Sequence, residues 1–160
     1  MLSRLIEATP DPEAVILAPD SRGSTWDVIL GGYGPDVEFI DRALEHVFAR
    51  VEVDAQRVVL AGFSDGASYV LSLGPGNGDL FTRLVAFSPG FMAPPTRIGR
   101  PPICVSHGVR DCVLPIDRCS RRLVPRLRSQ GYEVRYEEFD GGHDVPPPLA
   151  REALSWAMTT

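Results

Sequence analysis

The chain has 160 residues, 44% of them hydrophobic and 23% charged, with a formal net charge of -5 at pH 7. A chain of this length can bury roughly 70% of its unfolded surface, so a single domain over residues 1–160 with its own core is expected. The acidic balance argues against a nucleic-acid binder, because no cationic excess is present to neutralise phosphates.

Taken in order, the opening "MLSRLIEATPDPE" lacks the apolar centre of a secretory signal, and no apolar run reaches the length of a membrane span. The expectation is a cytoplasmic protein without a membrane span. "LSRLIEA" (2–8) reads as the tail of a helix. Five short runs rich in branched residues then recur, each closed by Gly, Pro, Asp or an acidic loop: "AVILAPD" (14–20), "RVVLAG" (57–62), "LVAFSPG" (84–90), "ICVSHG" (103–108) and "EVRYEEF" (133–139). The first four are almost unbroken apolar runs, the pattern of strands covered on both faces.

Helical patterns separate them. Ile40, Ala43, Leu44, Val47 and Val51 keep helical spacing after the start signal Pro35-Asp36. A second helix is predicted from Ser64 to about Leu73, ending at the breakers of "GPGNG". A third is predicted over 117–130, with Gly131 as its C-cap and Pro125 kinking or shortening it. A fourth, over 148–158, turns Leu149, Ala153, Trp156 and Ala157 inward. Strands alternating with helices predict an α/β fold, a predominantly parallel sheet with helices on both faces.

In such a sheet ligands bind beyond the carboxyl ends of the strands. Ser64, Asp111 and His143 all fall there. The pattern G-x-S-x-G in "AGFSDGA" is weak alone, but Gly62 and Gly66 flank Ser64 between an apolar strand and a helix, the setting of a nucleophile held on a sharp turn. Serine is a poor nucleophile at neutral pH, so a histidine must take its proton and a carboxylate must hold that imidazole. Ser64 reads as nucleophile, His143 as general base and then acid, and Asp111 as the orienting acid. The backbone N–H of Asp65, at the helix start, reads as an oxyanion donor.

Competing assignments are weaker. Asp117 or Asp140 are alternative acids. His107 reads as a structural hydrogen-bonder, and Ser88 as shaping the sheet's upper edge. The arginines at 118, 121, 122, 126 and 128 read as a solvated helix face. Cys104, Cys112 and Cys119 lack the paired short spacings of a zinc site or a disulfide framework, Cys112 has no elbow around it, and no metal site is expected.

At "GFSDGA", "HGVRDCVLP" and "GGHDVP" the chain resembles the α/β-hydrolase superfamily, and within it the small carboxylesterases and phospholipase-like esterases. The resemblance runs from about Ala14 to Trp156. It implies acyl transfer from a small-molecule carboxylic ester to water through an acyl-enzyme, without a cofactor. "APDSRGSTWD" is similar to a segment that lines the substrate cleft there, which makes Trp26 an implied substrate contact. The family's earlier strand, whose His-Gly-Gly-like loop gives a second oxyanion donor, has no counterpart, so the domain reads as N-terminally incomplete. That strand would lie between "AVILAPD" and "RVVLAG". Its two neighbours are therefore expected to close up, to leave a hydrated gap, or to be bridged by another chain, with homo-oligomerisation through the exposed strand edge. The alternative function is a catalytically impaired hydrolase-derived fragment or binding module.

Overall fold

A computed structural model of the protein describes Glu7, Thr9 and residues 14–159. Four strands form one sheet: β1 (Val59–Phe63), β2 (Arg83–Phe87), β3 (Ile103–Gly108) and β4 (Val134–Phe139), all parallel and in that spatial order. Four helices within residues 14–159 accompany them: α1 (Pro35–Phe48), α2 (Asp65–Leu73), α3 (Ser120–Ser129) and α4 (Pro147–Met158). The connection from β2 to β3 is irregular; α2 follows β1, α3 follows β3 and α4 follows β4.

The apolar runs of β2 and β3 are continuous because both of their faces are covered. Successive side chains of a strand point to opposite faces. Leu84 and Ala86 of β2, with Ile103 and Val105 of β3, therefore pack with Ala67, Val70 and Leu71 of α2 and Leu123, Val124 and Leu127 of α3. Val85, Phe87 and Cys104 point the other way, onto Ala150, Ala153, Leu154 and Ala157 of α4. A third cluster joins Ile40 of α1 to Val28, Tyr69 and Leu73, with Trp26 at its border. The helices thus lie on both faces of the sheet.

Three expectations need correction. "AVILAPD" (14–20) is not a strand: residues 14–20 have no regular structure, and Val15, Ile16 and Leu17 are 55%, 42% and 39% exposed. An apolar run becomes a strand only where a neighbour completes its ladder, and among the described residues β1 pairs on its β2 side alone. The two expected neighbours of the family's extra strand have therefore not closed up on each other. The third helix begins at Ser120 rather than 117, because Pro115 and Ile116 accept from Arg118 and Cys119 in a preceding turn. Pro125 stays on its exposed face. Val51 falls outside α1, in the exposed turn that follows it. Of the helix read over 2–8, only Glu7 lies within the described residues.

Among the described residues no helix is long and apolar enough to cross a membrane.

Candidate active site

Ser64 sits at the junction of β1 and α2 with φ 57° and ψ -121°. An L-residue with positive φ is uncommon and is kept only where its surroundings over-determine it. Here both main-chain groups are held: Ser64 N–H donates to the Phe87 carbonyl at 2.9 Å, and its own carbonyl accepts from Ser68 N–H at 3.0 Å. The side chain is left standing off the sheet's edge, half-buried.

The two flanking glycines play different parts. A Cβ on Gly62 would lie 2.4 Å from the Gly66 carbonyl oxygen and 2.9 Å from Ala67 N, inside the backbone of α2. On Gly66 the nearest atom would be Trp26 Nε1 at 3.7 Å, an ordinary contact. Crowding therefore demands glycine before the serine and not after it.

Asp65 opens α2, so its N–H has no acceptor within the helix and points out at the helix's positive end. Its carboxylate accepts from Thr25 Oγ1 at 2.7 Å, which ties the 21–26 loop to the elbow. That loop is folded by buried Asp36, which accepts from Arg22 N–H and Asp27 N–H, while Asp27 accepts from Gly34 N–H and Asp36 N–H. Trp26 is thereby laid against Tyr69 of α2, ring centroids 4.6 Å apart, next to Gly66.

The loops after β3 and β4 bring the other two residues in. Arg110 N–H donates to the Gly141 carbonyl at 2.9 Å, and Val109 N–H to that of Phe139 at 2.9 Å. The loops run so close that a Cβ on Gly108 would meet Gly142 O at 2.2 Å. His143 Nδ1 lies 2.6 Å from Asp111 Oδ2, and its Nε2 lies 2.8 Å from Ser64 Oγ. An ionised carboxylate only accepts, so Nδ1 carries the proton and Nε2 is free to accept from the serine hydroxyl. Phe63 walls one side of the imidazole, its ring centroid 4.7 Å away.

The three residues singled out in sequence are thus joined in one line. Asp111 is buried, whereas Asp117 and Asp140 are 76% and 79% exposed and pair with Arg121 and Arg110 respectively. Of the three carboxylates, Asp111 alone combines burial with a hydrogen bond to His143. Burial alone would raise the Asp111 carboxyl's pKa; the His143 hydrogen bond and the N–H groups of Leu114 and Val113 outweigh it and hold it below the ordinary carboxylate value.

Sequence reasoning missed one contact. His107, read only as a structural hydrogen-bonder, places Nε2 3.2 Å from Asp111 Oδ2. The spacing of four in "HGVRD" was the available signal, but it brings side chains together here through a loop turn, with Asp111 N–H donating to the Gly108 carbonyl, rather than through a helix. Burial drives the His107 pKa down, against the raising effects of Leu114 and Asp111.

No family model matches the sequence. Solved structures do. Esterase PE8 is 25% identical with a TM-score of 0.65, over 74% of this chain and 57% of that one. A thermostable esterase is 24% identical at TM-score 0.64, over 76% of this chain and 35% of that one. The fold is that of the α/β-hydrolase esterases. A CE1 ferulic acid esterase from the anaerobic fungus Anaeromyces mucronatus matches at TM-score 0.63 and 20% identity, over 77% of this chain and 52% of that one. The chain thus spans less than two thirds of each of these esterases.

Two outcomes follow from the esterase fold's local packing. Gly62→Ala is expected to lose about 1–3 kcal/mol of stability in urea denaturation, with Gly66→Ala close to unchanged; equal loss at both sites would contradict the crowding argument. For pH, both His107 and Asp111 have pKa values lowered by folding. The unfolded chain therefore binds protons first on acidification. Stability should be fully present above about pH 6.5, fall as His107 is forced to charge, and fall further below the ordinary Asp value. Denaturation midpoints for wild type and His107→Gln, measured from pH 7.5 to 5, should show a shallower decline in the variant.

Proposed function

We propose that this chain is a serine hydrolase of the carboxylesterase type. The observation that carries the reading is the hydrogen-bonded line from Ser64 through His143 to Asp111, built on a strained turn at the start of α2. In the proposed reaction Ser64 Oγ attacks the ester carbonyl as His143 Nε2 takes its proton. The carbonyl oxygen becomes an anion that accepts from Asp65 N–H. His143 then returns the proton to the departing alcohol as the C–O bond breaks, leaving an acyl group on Ser64. A water, deprotonated by His143, then bonds to the acyl carbon; as the C–Oγ bond breaks, His143 gives that proton to Ser64 Oγ and the acid leaves. Asp111 holds the imidazole in its tautomer and stabilises its charged form, and Trp26 borders the substrate beside Gly66. The substrate class is a small or medium carboxylic ester.

Purified wild type is expected to turn over p-nitrophenyl acetate, and Ser64→Ala to lose at least about a thousandfold in kcat. Circular dichroism should give the same fold for both. Two folded proteins equally inert would refute the reading.

A second reading is supported by the outer edge of β1, which has no partner among the described residues, and by the exposed Val15-Ile16-Leu17 run. A chain lacking one oxyanion donor loses on the order of 2.7–4 kcal/mol of transition-state stabilisation, which would leave a catalytically impaired fragment or binding module. Pairing of two copies through that edge goes with this reading. It predicts a dimer by sedimentation velocity at micromolar concentration, and a stable monomer would remove it.

A further inference from the structure

His107 is fully buried, yet nothing in the proposed reaction uses it. Its Nδ1 lies 2.6 Å from Ser120 Oγ, a hydroxyl likewise fully buried on the first residue of α3. Its Nε2 lies 2.8 Å from the Leu114 carbonyl and 3.2 Å from Asp111 Oδ2. Both neighbours of Nε2 can only accept, so Nε2 must carry the proton; Nδ1 of the neutral ring then accepts from the Ser120 O–H. No other tautomer of the neutral ring suits all three groups.

We propose that His107 is a positioning residue for the candidate active site: its Nε2–H, oriented by Ser120, holds the Leu114 carbonyl in the turn whose N–H groups grip Asp111, and stands 3.2 Å from Asp111 Oδ2, so that it steadies the carboxylate and through it the tautomer of His143. This inference rests on the serine-hydrolase reading for its effect on turnover, though not for its effect on the two rings. Asp111 Oδ1 accepts from Val113 N–H at 2.9 Å and Leu114 N–H at 2.8 Å, Oδ2 accepts from His143 Nδ1, and His107 Nε2, bonded to the Leu114 carbonyl, stands 3.2 Å from Oδ2. Three hydrogen bonds and the adjacent imidazole N–H hold the carboxylate in this orientation. Removing His107 takes away the N–H beside Oδ2 and leaves the Leu114 carbonyl without its imidazole partner, which loosens the turn whose N–H groups hold Oδ1. Removing the Ser120 hydroxyl instead frees His107 to take the other tautomer, which would turn a bare nitrogen lone pair toward a carboxylate.

The experiment uses the full chain with three variants, His107→Leu, His107→Gln and Ser120→Ala. Where wild type hydrolyses p-nitrophenyl acetate, His107→Leu should lower kcat roughly ten- to a hundredfold with KM nearly unchanged. His107→Gln, whose amide N–H reaches the place of Nε2–H, should recover most of it. A folded His107→Leu protein that loses only melting temperature and keeps wild-type kcat overturns the proposal. Should His107→Leu fail to fold, Ser120→Ala carries the kinetic test in the same direction, and wild-type kcat there overturns it.

Where wild type is inert towards esters, the hydrolase reading fails by itself, and ring 15N–1H correlation spectra of histidine-labelled protein decide the inference. Wild type should show His107 protonated on Nε2 and His143 on Nδ1, with tautomer mixing at both rings in Ser120→Ala. A wild-type His107 protonated on Nδ1, or an unchanged His143 pattern in Ser120→Ala, overturns it.

Discussion

Three main-chain hydrogen bonds carry the parallel ladder one step beyond the strands: Ser64 N–H to Phe87 O, Ser88 N–H to Ser106 O, and Val109 N–H to Phe139 O, at 2.8 to 2.9 Å. Parallel strands all finish at the same edge, so these bonds line up there and fix where each following loop departs. The site inherits its geometry from them. Ser64 and Ser88 both have positive φ, 57° and 49°, and each such residue costs on the order of 1–3 kcal/mol. Both are held by a bond to the next strand. The strain is thus borne by the sheet, and the Ser64 hydroxyl is presented without a flexible loop beneath it.

The second constraint is the burial of a single carboxylate. An uncompensated buried charge would be strongly unfavourable, and the group would neutralise instead. Asp111 stays below the ordinary carboxylate range because its hydrogen bonds outweigh burial. Two of its donors are backbone N–H groups of its own turn, and the imidazoles come from β3 and from the loop after β4. The carboxylate therefore joins three segments that no apolar contact brings together with the same directional control. Hydrophobic packing sets the distance between sheet and helices; this cluster sets the angles.

How much of this was legible in the sequence follows from what each feature depends on. β2 and β3 were readable because their burial on both faces leaves an unbroken apolar record in "LVAF" and "ICVSHG". Ser64, Asp111 and His143 were readable because each falls at a strand end, beside glycines that the close loops require. "AVILAPD" misled because hydrophobicity records what a segment would bury, while a strand also needs a neighbour to complete its hydrogen bonds, and that neighbour is not coded in the run itself. The contact between His107 and Asp111 was hidden for a related reason: a turn, not a periodic element, brings the two side chains together.

The elbow hangs from β1, an edge strand of the described sheet. Its residues are mostly half-covered where β3 is buried throughout, and its ladder bonds run to β2 alone among the described residues. What keeps it in place is the close approach of Gly62 to α2 and the one-sided ladder. Edge strands open at lower free energy than central ones. Ser64 thus projects from one edge strand of the described sheet, and His143 follows β4, the edge strand on the opposite side. Pairing along the outer edge of β1 would act on Ser64 as well as on the sheet, because each added ladder bond raises the free energy needed to displace the strand from which the serine projects. Completion of the sheet and the placement of Ser64 are therefore coupled, and the two readings of function differ in whether that coupling is already satisfied in the isolated chain.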